Sequence, residues 1–319
     1  MAIMITVAVP DQAVSDALGD LGEDTRVIVW NPTTTEVPAD ERERVTMVCI
    51  PHYSGGRTMY GRIAECPSVR VIQIPSAGYE HAVPFVPPGV ALANARGLHD
   101  SRVAEYAILL PLASLRDFPA VVRAQDRREW NPNYDAPNLA DKRALVVGYG
   151  SIGAAIGTRL RAMEVHVEGV ATTARLADDG THVHAVGDLP HLLPQADVVF
   201  LVTPHNEHTD KMVDAAFLAS MPDGALLVNV GRGKCVDQDA LLAELATGRL
   251  RAALDVTDPE PLPADHPLWS APGTIIAPHV AGVTSLTDRR YVEIVKRQVA
   301  AIRTGDDPFN FVMLGAFPA

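Results

Sequence analysis

Three side chains of complementary chemistry, Arg232, Glu260 and His279, each follow an apolar run typical of a buried strand. A guanidinium can bind a carboxylate through two hydrogen bonds and polarise a carbonyl group. An imidazolium can donate a proton to an oxygen that becomes basic during a reaction, and a nearby carboxylate orients the ring and favours its charged form. The three residue types therefore predict acid-base chemistry on a carbonyl compound that carries a carboxylate.

A second chemical feature is the turn Gly148-Tyr149-Gly150-Ser151-Ile152-Gly153, which follows the apolar run from Ala144 and precedes residues at helical spacing. In such a turn the first glycine permits the tight bend and the second lets the backbone approach a pyrophosphate. The third lets the following helix pack closely, with its amino end facing the anion. G-x-G-x-x-G alone is a weak signal, but a strand before it and a helix after it predict a dinucleotide site.

The elements that would position these groups alternate between short apolar runs and helical patterns, which predicts an α/β fold with parallel sheets. We expect one series of strands near residues 3–9, 27–30, 46–50, 69–74 and 90–93, and a second near 144–148, 165–170, 198–202, 225–230, 252–256 and 274–277. Arg232, Glu260 and His279 follow strands of the second series. Because ligands of open α/β sheets bind outside the carboxyl ends of strands, three loops would bring these side chains into one crevice.

The length of 319 residues predicts two domains. A helical pattern at 101–123 and a Pro- and Asn-rich stretch at 130–138 separate the two series of strands, and a further helical pattern at 287–303 returns the chain to the first domain. We therefore expect a substrate-binding domain of residues 1–98 plus 286–319, and a dinucleotide-binding domain of residues 99–285.

Charge and cysteine content exclude several classes of protein. Asp and Glu number 39 against 27 Lys and Arg, a net charge of −12, which argues against nucleic acid as a partner. The three cysteines, Cys49, Cys66 and Cys235, are widely spaced, which favours unpaired thiols in a cytoplasmic protein. The sequence shows no signal peptide, no membrane-spanning segment and no cluster of metal ligands, so we expect neither a membrane nor a metal partner.

The chain resembles the D-isomer-specific 2-hydroxyacid dehydrogenases over nearly its whole length. The resemblance is carried by the glycine turn, by Leu227-Val228-Asn229-Val230-Gly231-Arg232-Gly233, by residues 254–263, and by Pro278-His279-Val280-Ala281-Gly282. It implies two similar domains of Rossmann or flavodoxin type with the active-site cleft between them. It also implies a homodimer formed through the cofactor domains.

The resemblance also implies roles for single residues. Arg232 would bind and polarise a 2-oxo acid, His279 would be the acid/base, Glu260 would tune His279, and Asp255 would contact the nicotinamide carboxamide. The segment Pro75-Ser76-Ala77-Gly78-Tyr79 matches the family's carboxylate-binding loop, in which the N–H groups of Ala77 and Gly78 would hold the anion. Tyr53, after a strand, is a further candidate for substrate contact.

Single positions narrow the choice of substrate. Relatives that act on formate pair the histidine with glutamine, whereas this chain has Glu260. Relatives that act on phosphite or phosphoglycerate carry a basic residue in the substrate loop, where this chain has Ser76 and Ala77. The resemblance therefore favours a 2-oxo acid with a small or moderately sized uncharged R-group, such as glyoxylate or hydroxypyruvate, and the sequence does not rank these.

The cofactor position departs from the NAD-dependent members. They have an Asp at the end of the second strand, about 20 residues past the glycine turn, which binds the ribose diol. The corresponding residue is Ala171, and Thr172, Thr173 and Arg175 follow it, a set suited to a 2′-phosphate. We therefore expect NADP(H) to be preferred, with NAD(H) as the alternative cofactor. The alternative function is a nucleotide-sensing protein, like the corepressors built on this fold, because a fold alone does not fix a function.

Overall fold

The computed structural model describes residues 4–51, 56–130, 136–283 and 289–315. It divides into two compact units, Met1–His99 with Ser285–Ala319, and Asp100–Thr284. Each unit is built around its own sheet. Among the described residues, no helix is both long and apolar enough to cross a membrane, and no cluster of side chains could hold a metal ion.

The first unit contains β1 (Ile5–Val9), α1 (Gln12–Leu18), β2 (Thr25–Val29), β3 (Val45–Cys49), α2 (Arg57–Ala64), β4 (Val71–Gln73), β5 (Ala91–Ala93), α9 (Arg289–Thr304) and β14 (Phe311–Leu314), all numbered along the chain. The strand order is β14-β5-β4-β3-β1-β2, and every pair is parallel except β14 with β5. Strands β1 and β3 are buried at every position, as expected where a parallel sheet is covered on both faces.

The second unit contains α3 (Asp100–Leu115), α4 (Phe118–Asp126), β6 (Arg143–Val147), α5 (Ser151–Ala162), β7 (His166–Ala171), β8 (Arg175–Leu176), β9 (His182–Ala185), α6 (Leu189–Leu192), β10 (Val198–Leu201), α7 (Ala215–Ser220), β11 (Leu226–Asn229), α8 (Gln238–Thr247), β12 (Arg251–Leu254) and β13 (Thr274–Ile276). The strand order is β13-β12-β11-β10-β6-β7-β9-β8, with only β8 and β9 antiparallel. Apolar side chains cover both faces of the sheet and form two clusters. The predicted α/β fold with two mostly parallel sheets is confirmed.

The structure differs from the sequence-based prediction at two places. The helical pattern at 101–123 is two helices, because Asp117 adopts a left-handed conformation (φ 43°) and Pro119 lies in the first turn of α4. Strands β8, β9 and β14 were not predicted. Strand β8 has two residues, β9 alternates histidine with apolar residues over four positions, and β14 is a four-residue apolar run that becomes a strand by pairing with β5. The first residue of β8, Arg175, lies beside the glycine turn.

Candidate active site

The candidate site is built on the carboxyl edge of the second sheet. The register aligns Val147, Leu201, Asn229, Leu254 and Ile276, the last residues of five neighbouring parallel strands. The loops that follow β6, β11, β12 and β13 carry the glycine turn, Arg232, Glu260 and His279, respectively. Strand β6 lies where the strand order reverses, between β7 and β10. This is the position at which open α/β sheets bind ligands.

The three glycines of the turn have different reasons to be glycine. Gly148 has φ 104°, and a Cβ there would lie 2.7 Å from the carbonyl carbon of Val202. A Cβ on Gly153 would lie 2.5 Å from the carbonyl oxygen of Gly148. A Cβ on Gly150 would meet nothing within 4 Å. Packing within the chain therefore requires the first and third glycines, whereas the second faces open space that a ligand can use.

The amino end of α5 fits an anionic group. Gly150 is its N-cap and supplies no side chain to cap the helix. In the region that the structure describes, the N–H groups of Ser151, Ile152 and Gly153 make no backbone hydrogen bond, and Ala154 is the first helical residue whose N–H does. Free N–H groups and the helix dipole both favour a bound anion. The residues present therefore fit the pyrophosphate of a dinucleotide.

Tyr149 departs from its predicted place at the cofactor. Its side chain is 2% exposed and lies in the interior of the unit, where its hydroxyl group bonds Asp179 and Thr181. Only the backbone of Tyr149 stays at the turn. The sequence signal for this burial was the pair Gly157 and Gly169, whose missing side chains leave room for the ring.

The end of β7 carries no carboxylate. The strand ends at Ala171, and Thr172, Thr173 and Arg175 follow it with exposed side chains. The Nη2 atom of Arg175 donates a hydrogen bond of 2.5 Å to the carbonyl oxygen of Tyr149. Its guanidinium group therefore lies at the glycine turn. Glu168 is inside β7, where it pairs with Arg143 and His184 and is not available at the strand end.

Arg232 is positioned by a residue that the sequence reasoning missed. Asn229, the last residue of β11, is 1% exposed. Its Nδ2 donates to the carbonyl oxygen of Arg232 (3.1 Å), and its Oδ1 accepts from the N–H of Gly231 (3.0 Å). A Cβ on Gly231 would lie 2.8 Å from the carbonyl oxygen of Thr203, so this loop packs closely. A buried polar residue at the end of an apolar strand was the available signal.

Glu260 and His279 form a direct pair. The Nδ1 atom of His279 lies 2.5 Å from Oε1 of Glu260, and about two-fifths of each side chain is exposed (43% and 41%). His279 has φ 53°, a left-handed conformation that non-glycine residues rarely adopt. Such strained residues persist where neighbouring structure fixes them, and they concentrate at active sites.

Asp255 provides that fixation. Its carbonyl oxygen accepts from the N–H of His279 (2.7 Å), and its carboxylate accepts from the N–H groups of Val280 (2.8 Å) and Ala281 (3.1 Å). The side chain is 2% exposed, and this burial raises the pKa of Asp255 above its usual range although the two N–H groups act in the opposite direction. The structure shows that Asp255 fixes the loop that carries His279. Contact between Asp255 and a nicotinamide carboxamide stays a prediction.

The first unit carries the predicted carboxylate loop after β4. Every carbonyl group from Pro75 to Gly78 accepts a hydrogen bond: His99 Nε2 contacts Pro75 O (2.9 Å), Ala95 N–H donates to Ser76 O, Asn94 Nδ2 donates to Ala77 O (2.8 Å), and Ser76 Oγ donates to Gly78 O (2.6 Å). Within the described ranges, no protein acceptor takes the N–H of Ala77 or Gly78. These half-buried N–H groups can therefore bind an anion. Tyr53 lies outside the described residues.

Comparison with known proteins identifies the family. A model of the D-isomer specific 2-hydroxyacid dehydrogenase NAD binding domain matches residues 108–281, more than half of the chain. The chain is 29% identical over 289 residues to glyoxylate reductase of Thermofilum pendens, covering 88% of this chain and 84% of that protein. It is 27% identical over 320 residues to D-3-phosphoglycerate dehydrogenase of Methanocaldococcus jannaschii, covering 99% of this chain and 60% of that protein.

Two solved structures that are similar to this chain support the same family. A D-isomer specific 2-hydroxyacid dehydrogenase from Xanthobacter autotrophicus, in complex with NADPH and MES, has a TM-score of 0.81 at 26% identity, with 97% of this chain and 98% of that chain covered. An NADPH-dependent glyoxylate/hydroxypyruvate reductase from Sinorhizobium meliloti, in complex with citrate, has a TM-score of 0.75 at 25% identity, with 96% and 97% covered. This chain belongs to the D-isomer-specific 2-hydroxyacid dehydrogenases, which are oxidoreductases that use NAD(P).

Proposed function

We propose that this enzyme interconverts a small 2-oxo acid and the D-2-hydroxy acid, working mainly as a reductase, and that it prefers NADP(H). The observation that carries the proposal is the 2.5 Å pair of Glu260 and His279, which stands at the same sheet edge as Arg232 and the glycine turn. An acid, a guanidinium and a dinucleotide turn on one edge are the parts that carbonyl reduction needs.

His279 is the proton donor of the reduction. Its Nδ1 is bound to Glu260, which leaves Nε2 to donate a proton to the substrate's carbonyl oxygen. Glu260 keeps the ring oriented. The nicotinamide group, when bound, supplies the hydride that adds to the carbonyl carbon. One hydride on carbon and one proton on oxygen complete the conversion of the carbonyl group to an alcohol.

Arg232 binds the substrate. Its guanidinium group polarises the carbonyl group and pairs with the carboxylate, and Asn229 fixes the backbone that carries it. On the first unit, the N–H groups of Ala77 and Gly78, which have no protein acceptor among the described residues, are donors of the kind that suits a carboxylate. Holding the substrate by its carboxylate fixes the carbonyl carbon in one orientation, which lowers the entropic part of the barrier.

The substrate loop favours a small, uncharged group beyond the 2-oxo carbon. Between Pro75 and Gly78 there is no Lys or Arg that could pair with a phosphate. Glyoxylate and hydroxypyruvate are the simplest compounds that fit, and glyoxylate is the substrate in the name of the relative from Thermofilum pendens. We therefore place 3-phosphohydroxypyruvate below both of them as a substrate.

The preference for NADP(H) is supported by the end of β7. Ala171 offers no carboxylate that would accept hydrogen bonds from a ribose diol or repel a 2′-phosphate. Arg175 instead brings a guanidinium group to the glycine turn, and Thr172 and Thr173 add hydroxyl groups beside it. Two solved relatives are described as an NADPH complex and as an NADPH-dependent enzyme.

We also propose that the enzyme is a homodimer formed through the second unit. Helix α4 has no buried residue, although several of its side chains are large and apolar. Phe118, Val121 and Val122 are 54%, 43% and 40% exposed. Trp130, after the helix, is 94% exposed. Exposed apolar side chains clustered in this way are typical of a protein interface. Light scattering is expected to give twice the chain mass of 34.2 kDa, and a monomer at all concentrations contradicts the proposal.

The decisive experiment is a turnover assay of the purified protein. Glyoxylate, hydroxypyruvate, pyruvate and 3-phosphohydroxypyruvate are each reduced with NADPH and with NADH, and kcat/KM is measured for all eight pairs. We expect the highest value for glyoxylate or hydroxypyruvate with NADPH. Cofactor binding without turnover of any acid would instead indicate a nucleotide-sensing protein, and a higher kcat/KM with NADH removes the cofactor proposal alone.

A further inference from the structure

The interior position of Tyr149 requires an explanation other than cofactor contact. Its ring lies between helix α5 and strand β7, where a Cβ on Gly169 would lie 2.6 Å from two ring carbons and a Cβ on Gly157 would overlap the hydroxyl oxygen. Glycine in a helix or strand interior is destabilising relative to alanine. Two such glycines beside one ring indicate that the interior of this unit is shaped to hold the tyrosine side chain.

The tyrosine hydroxyl ends in a polar cluster. It donates to Asp179 Oδ2 (2.9 Å) and lies 2.8 Å from Thr181 Oγ1. The guanidinium group of Arg161, on α5, donates to Asp179 Oδ2 (2.7 Å) and to Thr181 Oγ1 (2.5 Å). The N–H of Thr181 donates to Asp179 Oδ1 (3.0 Å). We call Tyr149, Arg161, Asp179 and Thr181 the Tyr149 clasp.

The Tyr149 clasp is held together by charge. Burial alone would raise the pKa of Asp179, but the bonds from Arg161, Thr181 and Tyr149 outweigh it and hold that pKa well below its usual range. Asp179 is therefore ionised at neutral pH, and its charge compensates that of Arg161. Arg175, unlike Arg161, has no carboxylate partner among the described residues. Its guanidinium group lies at the glycine turn and donates hydrogen bonds to the backbone carbonyl groups of Thr173 and Tyr149.

The Tyr149 clasp joins the glycine turn to the segment that carries Arg175. Asp179 and Thr181 lie in the connection between β8 and β9, and β8 begins at Arg175. The antiparallel ladder consists of two residue pairs, Arg175 with Val183 and Leu176 with His182. Strand β9 is held in the sheet by β7, but β8 is the edge strand and pairs with β9 through these two residue pairs, which fix it weakly. The Tyr149 clasp therefore supplies the contacts that fix this connection against α5 and the turn.

We propose that the Tyr149 clasp positions Arg175 at the glycine turn and thereby sets the preference for a dinucleotide that carries a 2′-phosphate. Tyr149, Arg161, Asp179 and Thr181 are positioning residues for cofactor selection, and they act through Arg175 without touching the phosphate. The proposal rests on the proposed function, in which Arg175 binds the 2′-phosphate. A guanidinium group contributes most to phosphate affinity when its geometry is fixed before binding.

The test compares two substitutions at one clasp residue. Thr181→Val keeps the shape of the side chain but removes the hydroxyl that bonds Tyr149 and Arg161, whereas Thr181→Ser keeps the hydroxyl. Neither changes the charge near the phosphate. We expect Thr181→Val to lower the ratio of kcat/KM for NADPH to that for NADH about fivefold, chiefly through KM for NADPH. Thr181→Ser is expected to retain the wild-type ratio.

A double variant tests whether the effect passes through Arg175. In an Arg175→Ala background, Thr181→Val is expected to change the cofactor ratio no further, because the group that it positions is gone. Tyr149→Phe, which removes only the hydroxyl and leaves the ring between its glycines, is expected to move the ratio in the same direction as Thr181→Val. Thermal unfolding of each variant establishes that it is folded.

The outcomes separate this proposal from the one on which it rests. If the wild type prefers NADPH and Arg175→Ala abolishes the preference, but Thr181→Val and Tyr149→Phe leave the ratio unchanged, the clasp proposal is overturned and the cofactor proposal stands. An equal rise of KM for both cofactors in Thr181→Val shows a general role in folding and also overturns it. If Arg175→Ala leaves the wild-type ratio unchanged, both proposals are wrong.

Discussion

The Nδ1 atom of His279 lies 2.5 Å from Oε1 of Glu260, although the two residues follow different strands of the second sheet. The pair forms because β12 and β13 are parallel neighbours whose ends are in register. The left-handed backbone of His279, fixed by three bonds to Asp255, turns the ring toward the preceding loop. The carboxylate of Glu260 holds the imidazole ring in one direction.

Glu260→Ala is therefore expected to slow reduction. Without the carboxylate that binds Nδ1, the imidazole ring is no longer held in one direction, so kcat for glyoxylate is expected to fall about tenfold. The measurement is kcat at one pH with a fixed, saturating cofactor. Asp258→Ala, which removes the same charge from an exposed neighbour, is the control. Equal values of kcat for Glu260→Ala and the wild type contradict the pairing.

Arg232→Ala is expected to impair reduction severely without loss of cofactor binding. Removing a charged group that both binds the carboxylate and polarises the carbonyl lowers kcat/KM by about 100-fold or more. The affinity for NADPH, measured by fluorescence titration, should remain close to that of the wild type. Lys234→Ala removes an exposed cation two residues away and is the matched control for net charge. Loss of activity in both variants alike argues for a general electrostatic effect.

Arg175→Ala and Ala171→Asp are expected to change cofactor preference in the same direction by different means. The first removes the cation from the 2′-phosphate, so KM rises for NADPH and stays nearly constant for NADH. The second repels the phosphate and accepts hydrogen bonds from a free diol. Combined, they should reverse the preference, as measured by the ratio of kcat/KM for the two cofactors. Arg159→Ala, on α5, controls for the loss of a nearby positive charge.

The glycine turn allows a matched pair of alanine substitutions. Gly150→Ala meets no atom within 4 Å, so we expect a folded protein with reduced affinity for the dinucleotide. Gly153→Ala places a Cβ 2.5 Å from the carbonyl oxygen of Gly148, so we expect a lower Tm, by about 4 °C or more. The measurements are thermal unfolding and cofactor titration of both variants. A Gly150→Ala protein that binds NADPH as tightly as the wild type shows that the open space is not the cofactor's.

Asn94→Ala is expected to weaken substrate binding through the loop after β4. The Nδ2 of Asn94 bonds the carbonyl oxygen of Ala77, and without it the adjacent N–H groups lose their fixed direction. We expect KM for glyoxylate to rise about tenfold, with little change in the affinity for NADPH. Steady-state kinetics and cofactor titration give the two numbers. A change in cofactor affinity alone contradicts the assignment of this loop to the substrate.

Periodic patterns in the sequence were sufficient for most of the fold. The central strands of both sheets are short continuous apolar runs, and helical spacing follows the glycine turn, so both are visible along the chain. The break between α3 and α4 and the short strands β8, β9 and β14 were missed. The break depends on the left-handed Asp117, β14 pairs with the distant strand β5, and β8 joins β9 through only two residue pairs, so a local apolar pattern records none of these features.

By itself, the sequence determined the chemistry that this protein could perform, because residue types such as Arg232, Glu260 and His279 fix which protons and charges are available. It also determined the edge of the sheet on which they stand, because parallel strands order their loops. Only the tertiary structure decided which groups meet. It paired Glu260 with His279, gave Asp255 and Asn229 their supporting bonds, and turned Tyr149 inward to the Tyr149 clasp. Hydrogen bonds depend on distances of a few tenths of an ångström, and those distances follow from packing between segments far apart in the chain.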